Sequence, residues 1–167
     1  MDCVGEPGRP PRVLVVEDDP GMQDLYRSSL GGDFELVFAG SAAAARSTLA
    51  EESDGICAAL VDHGLPGENG LSLVAAIAEE WPWIVRIMVT GADDPSLCRA
   101  AVNAGHVFAF FTKPANMNEV QAMLFDAVQR VRRGAERFRV RPAAKTARQL
   151  DTVRAHFSRI KAAIETA

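Results

Sequence analysis

No run in the sequence approaches the roughly 20 consecutive apolar residues that a membrane-spanning helix requires, and no membrane association is expected. Cysteine is scarce. Cys3, Cys57 and Cys98 are odd in number and lack CxxC or metal-ligand spacing, which speaks against a disulfide framework or a thiolate metal centre. Reduced thiols in a cytoplasmic protein account for them, two of them as small residues in apolar surroundings. Residues 1–11 are Gly/Pro-rich and acidic and lack the apolar segment of a signal peptide, so they are expected to form a flexible N-terminal tail. His106 and His156 have no partner at metal-ligand spacing and are expected to be exposed. Repeats and low-complexity arrays are absent.

What the chain does have is an uneven distribution of charge. Residues 1–129 carry 7 Lys/Arg against 19 Asp/Glu, whereas residues 130–167 carry 11 against 3. An acidic body is thus joined to a basic tail, and the break marks a boundary. A length of 167 residues suits one domain with an appendage. The division expected is a tail over 1–11, a folded domain over 12–133, and a basic linker with an amphipathic C-terminal helix over 134–167.

Within the body, strand and helix signals alternate. Arg12–Val16 reads as a buried strand ended by Glu17, Asp18, Asp19 and Pro20. Asp19 is a candidate N-cap and Pro20 suits a first helical turn, with Met22, Leu25, Tyr26 and Leu30 on one helix face. A second strand is expected over Phe34–Ala39, then a helix capped by Ser41 and running to about Glu52. The third strand ends at Asp62. A helix from Leu71 to about Trp81 follows, with Leu71, Val74, Ile77 and Ala78 inward. The next strand spans Ile84–Val89, and a fourth helix opens at Asp94-Pro95 and closes at Gly105. Val107–Phe111 is the last strand, and a fifth helix runs from about Met117 to Arg133 with Val120, Leu124, Val128 and Val131 inward. Five such alternations with short connections predict an α/β fold, a doubly wound parallel sheet with helices on both faces. In the tail, Leu150, Val153, Phe157, Ile160 and Ile164 make a short a/d seam.

The strand ends carry the chemistry. Ile56–Val61 is an unbroken apolar run that surfaces at Asp62 into a loop rich in glycine and proline, placing that carboxylate at the carboxyl end of a central strand. Alone, this Asp is equally well read as a turn opener. Three further strand ends add Glu17 and Asp18, Thr90, and Lys113, all converging on one edge of a parallel sheet. Two carboxylates 4 Å apart repel by about 4 kcal/mol at an effective dielectric of about 20. Such a cluster calls for a cation or raised pKa values, and a hard divalent ion, Mg²⁺, suits oxygen ligands. Beside it, an Asp can act as a nucleophile toward a phosphoryl group, with Lys113 and the Thr90 hydroxyl neutralising its oxygens.

The acidic pair in Glu17-Asp18-Asp19-Pro20, Asp62 with Leu65-Pro66 and Gly70, Thr90-Gly91, and Lys113-Pro114 occur in order over about residues 12–131. In this the chain resembles the receiver domain of bacterial two-component response regulators. The resemblance implies a flavodoxin-like (βα)5 fold of strand order 2-1-3-4-5, with Asp62 as phosphoacceptor. It implies Mg²⁺ held by Asp18 directly, Glu17 through water, Asp62 and the Gly64 carbonyl. Thr90 would bond to the phosphoryl group, Lys113 would pair with it, and Lys113-Pro114 would be a cis peptide. Switching would move Thr90 toward the phosphoryl group as Phe110 rotates inward; Phe110 lacks the hydroxyl of the tyrosine often found there. Implied partners are a histidine kinase or phosphotransfer protein, and an output in a missing or separate domain. The segment Gly105 to Pro114 resembles receivers attached to cyclic-di-GMP phosphodiesterase or hydrogenase-regulator outputs. The implied chemistry is self-phosphorylation and dephosphorylation only, not enzymatic turnover. Lys113→Ala is expected to leave the fold intact and uncouple the switch.

Other readings compete at several points. Asp19 reads as a cap rather than a ligand, His63 as a loop residue near the acyl phosphate, and Trp81 and Trp83 as packing residues. The tail reads first as a helix for homodimerisation or partner docking, ahead of a linker role; the face of helix four, strand five and helix five is the other candidate homodimer surface. Nucleic-acid binding by its arginines ranks last, since few aromatics interleave with them. A Mg²⁺-dependent phosphohydrolase using an aspartyl-phosphate is the alternative enzyme class, weakened by the missing DxD at Asp62.

Overall fold

The computed structural model describes residues 9–91 and 106–139. Five strands, β1 (Arg12–Val16), β2 (Glu35–Ala39), β3 (Ile56–Asp62), β4 (Val85–Thr90) and β5 (Ala109–Thr112), alternate with α1 (Pro20–Leu30), α2 (Ala42–Glu52), α3 (Gly70–Glu80) and α4 (Met117–Arg139). The sheet has the order β2-β1-β3-β4-β5 and every pairing is parallel. This is the flavodoxin-like order that the family resemblance implies. The helix expected over 94–105, the seam at 150–164, His156, Cys3 and Cys98 lie outside the described residues. The chain divides into Met1–Ala135 and Glu136–Ala167, and the site lies wholly in the first.

Local chemistry starts the helices where expected. The Asp19 side chain accepts from the Gly21 and Met22 amides at 2.7 and 3.1 Å, with Pro20 opening α1. Ser41 accepts from Ala44 N at 3.1 Å, and Asn69 caps α3 by accepting from Leu71 N at 2.6 Å. Each cap satisfies an amide that would otherwise lack a partner, a contribution of about 1 kcal/mol.

Period-two alternation splits the apolar strands between two layers. Leu14, Val16, Ala59, Val61 and Met88 pack with α2 and α3 through Ala45, Leu49, Val74 and Ile77. Val13, Val15, Leu60, Ile87 and Val89 pack on the other side with α1 and α4 through Tyr26, Leu30, Val120 and Leu124. Each of the Val, Leu, Ile and Met side chains among these, buried completely, contributes about 1.5–3 kcal/mol. All seven residues of β3 are buried, which fits its place at the centre of the sheet.

Several expectations need correction, among them the strand bounds, since β4 is shifted by one residue and β5 starts at Ala109 and not at Val107. Leu25 is 41% exposed, because the inward stripe of α1 is carried by Met22, Tyr26 and Leu30 at four-residue steps. Phe34 precedes β2 instead of opening it, and is buried against Phe125 of α4 with ring centroids 4.9 Å apart. Helix α4 continues to Arg139, past the expected end near Arg133. Trp81 and Trp83 pack against the core as expected. No described helix is long and apolar enough to cross a membrane.

Candidate functional site

Parallel pairing aligns the strand ends. Val16 is in register with Val61, Asp62 with Val89, and Thr90 with Thr112. The residues that follow therefore meet at one edge. The Glu17 amide extends the ladder to the Ala39 carbonyl at 3.0 Å, and the Lys113 amide donates to the Thr90 carbonyl at 2.7 Å.

Lys113 is the hub. Its ammonium donates to Asp62 Oδ2 at 2.7 Å and to Glu17 Oε2 at 2.9 Å. Asp62 Oδ1 accepts from the Gly64 amide at 3.1 Å, and Glu17 Oε1 accepts from the Asp19 amide at 3.3 Å. Asp18 is exposed beside these buried acids, and carboxylate oxygens of Glu17, Asp18 and Asp62 lie within 4.8 Å of one another. Three carboxylates facing one ammonium leave an excess of negative charge among hard oxygen donors. That donor set fits a divalent cation such as Mg²⁺.

The environment moves the titrations in a consistent direction. Burial pushes the Glu17 carboxyl above its ordinary value; the Lys113 hydrogen bond opposes this and the Asp62 charge adds to it. Burial alone would lower Lys113, but its bonds to Asp62 and Glu17 outweigh that and hold it above the ordinary lysine value. The two shifts describe a lysine that stays charged between acids that are costly to bury.

Gly70 brings α3 directly under this edge. A Cβ there would lie 2.1 Å from the Asp62 carbonyl oxygen, so only glycine allows the approach, and its amide donates to His63 O at 3.1 Å. Thr90 is buried, with its hydroxyl donating to the Gly91 carbonyl at 2.9 Å. Phe110 is partly buried against the α2/α3 layer. Lys113-Pro114 is cis. His63 is half-buried and its amide donates to Val89 O at 2.9 Å. His106, expected to be exposed, is half-buried at the far end of β4, where its carbonyl accepts from Arg86 Nε at 2.7 Å. Burial, with the charge of Arg86, draws its pKa below the ordinary value.

Three neighbouring residues have no signal in the sequence for a place at the site, although Tyr26 lies on the expected apolar face of the first helix. Gln23 Nε2 donates to the Glu17 carbonyl at 2.7 Å. Arg46 of α2 pairs at 2.6 Å with Glu68 in the loop after Asp62. Tyr26 is 1% exposed and its hydroxyl has no hydrogen-bond partner among the described residues. Burial, with the negative charge of Glu17, pushes its pKa up to about 12.

Strand order and this lysine-bridged acidic edge define a flavodoxin-like α/β domain with its polar site at the carboxyl ends of the strands. The chain belongs to the response regulator receiver domain family, whose profile matches residues 13–125. It is 31% identical over 117 residues to the hydrogenase transcriptional regulatory protein HoxA of Bradyrhizobium diazoefficiens, covering 70% of this chain and 24% of that protein. Against a cyclic di-GMP phosphodiesterase of Thermotoga maritima the identity is 32% over 118 residues, covering 70% of this chain and 31% of that one. Among solved structures, an adenylate cyclase from Rhodopirellula baltica superposes with a TM-score of 0.74 at 26% identity, covering 79% of this chain and 97% of that chain. The chain spans between a fifth and a third of the length of these curated relatives. It is a signal-receiving domain of the two-component type.

Proposed function

We propose that Asp62 is the phosphoacceptor of this receiver and that Lys113 is its charge partner. The observation that carries this reading is the Lys113 ammonium 2.7 Å from Asp62 Oδ2 at the carboxyl edge of the sheet. In the reaction an Asp62 oxygen attacks phosphorus of a phosphohistidine on a kinase or phosphotransfer protein. A P–O bond forms, the P–N bond breaks, and the imidazole leaves with its electron pair and takes a proton from solvent. Glu17, Asp18, Asp62 and the Gly64 carbonyl are the residues that would hold Mg²⁺, which supplies positive charge against the phosphoryl oxygens.

Lys113 keeps its proton and follows the new charge. As it turns to the phosphoryl group, the Thr90 hydroxyl exchanges the Gly91 carbonyl for a phosphoryl oxygen, and Phe110 rotates into the space beside it. The changed surface is read by a separate or further output domain, or by self-association through the basic C-terminal segment. The domain acts in the cytoplasm as a switch, without turnover of an external substrate. The relatives' outputs, hydrogenase gene regulation and cyclic di-GMP hydrolysis, belong to proteins about two to three times as long and are not assigned to this one.

Incubation with a radiolabelled small phosphodonor and Mg²⁺ tests the assignment. Wild type is expected to take up label in a hydroxylamine-labile form, and Asp62→Asn to take up none. Labelling of Asp62→Asn at the wild-type level overturns it.

A further inference from the structure

We infer that Gln23 is a positioning residue for the acid pair, a role that rests on the reading of Glu17, Asp18 and Asp62 as cation ligands. Its side-chain amide crosses from the first turn of α1 to the end of β1 and donates to the Glu17 carbonyl at 2.7 Å. That carbonyl belongs to the peptide linking Glu17 to Asp18, so the bond fixes the plane from which the Asp18 carboxylate departs. The other bonds of this turn restrain its remaining parts. Asp19 Oδ1 holds the amides of Gly21 and Met22, the Asp19 carbonyl receives the Gln23 amide at 3.0 Å, and Glu17 Oε1 receives the Asp19 amide. Among the described residues, Gln23 is the side chain that holds the Glu17–Asp18 peptide itself.

The arrangement has a consequence for cation binding. Glu17 is held by Lys113 and is nearly fully buried, whereas Asp18 is exposed and its side chain makes no hydrogen bond among the described residues. A carboxylate with that freedom must be brought to one orientation when a cation binds, and ordering a side chain opposes binding. Anchoring the peptide just before it removes part of that freedom in advance, which is how outer residues support the groups that touch a metal. Gln23 therefore acts on Asp18 through the backbone and does not itself touch the cation.

The test uses Gln23→Met, which keeps the length and helix preference of glutamine and removes the donor. Mg²⁺ is titrated into the nitrogen-labelled 167-residue chain and the affinity is read from the Gly64 amide shift. Gln121→Met serves as control, since it loses an amide bond of equal length, to Asp33 at 2.7 Å, away from the site. Gln23→Met is expected to bind Mg²⁺ about three- to tenfold more weakly, the scale of one neutral hydrogen bond. Its metal-free melting temperature should match that of Gln121→Met, whose affinity should stay at the wild-type value. Undiminished affinity in Gln23→Met overturns the inference, as does an equal loss in both variants. Wild type that shows no saturable Mg²⁺ response overturns the cation reading itself.

Discussion

Replacing Lys113 by methionine removes the charge shared by two buried acids while keeping a side chain of similar length. Its ammonium lies 2.7 Å from Asp62 and 2.9 Å from Glu17, whose side chains are only 8% and 2% exposed. Without it their oxygens, within 4.8 Å of one another, repel by about 3.5 kcal/mol at an effective dielectric of about 20. Removing one partner of a fully buried ion pair costs about 3–5 kcal/mol. Because Lys113 is itself 26% exposed, solvent screens part of this, and a loss of about 2–3 kcal/mol is expected for metal-free protein at neutral pH. The sequence alone suggests that Lys113 can be removed without harm to the fold; its two buried partners predict a measurable loss of stability instead.

The sign of the pH dependence follows from Glu17. Burial already holds its carboxyl above the ordinary value, and loss of Lys113 removes an opposing influence. The folded variant thus binds more protons than the unfolded chain above the ordinary carboxylate range, so its stability rises as pH falls from neutral toward that range. Adding Glu17→Gln to Lys113→Met removes one of the two charges and should return about 2 kcal/mol. Urea unfolding in EDTA, followed by circular dichroism, measures all three proteins. A Lys113→Met midpoint equal to wild type, or a double variant no more stable than the single one, refutes the reasoning.

Gly70→Ala should destabilise by about 1–3 kcal/mol or more, because the new methyl would lie 2.1 Å from the Asp62 carbonyl oxygen; an unchanged urea midpoint would contradict the close approach. Tyr26 is the chain's only tyrosine and stays neutral up to about 12 when folded. The unfolded phenol ionises first, so stability should fall as pH rises above about 10. Tyr26→Phe should lose that decline and be no less stable at neutral pH, since the hydroxyl it removes has no hydrogen-bond partner among the described residues; a persisting decline assigns it to another group. Saturating Mg²⁺ should raise the wild-type melting temperature by preferential binding to the folded state. Asp18→Asn should abolish that rise, and an equal rise in the variant would remove Asp18 from the cation ligands.

Sequence alone determined the architecture and the edge where the site forms. An apolar run that stops at a carboxylate, a hydroxyl or a lysine locates both the strand and its exposed end, because burial and polarity change at the same residue. The caps at Asp19 and Ser41 were legible for a similar reason, since a cap bonds within a few residues of itself. The tertiary structure alone decided the pairings between distant positions. Lys113 is 96 residues from Glu17 and 51 from Asp62, and no local pattern states that one ammonium serves both. Leu25 was misplaced because helical spacing admits several stripes, and only the packing of α1 on the sheet selects one. Gln23 looks like any exposed helical amide until β1 is set beside it. Periodicity records which residues leave water; which polar groups they then meet depends on how the strands and helices are brought together.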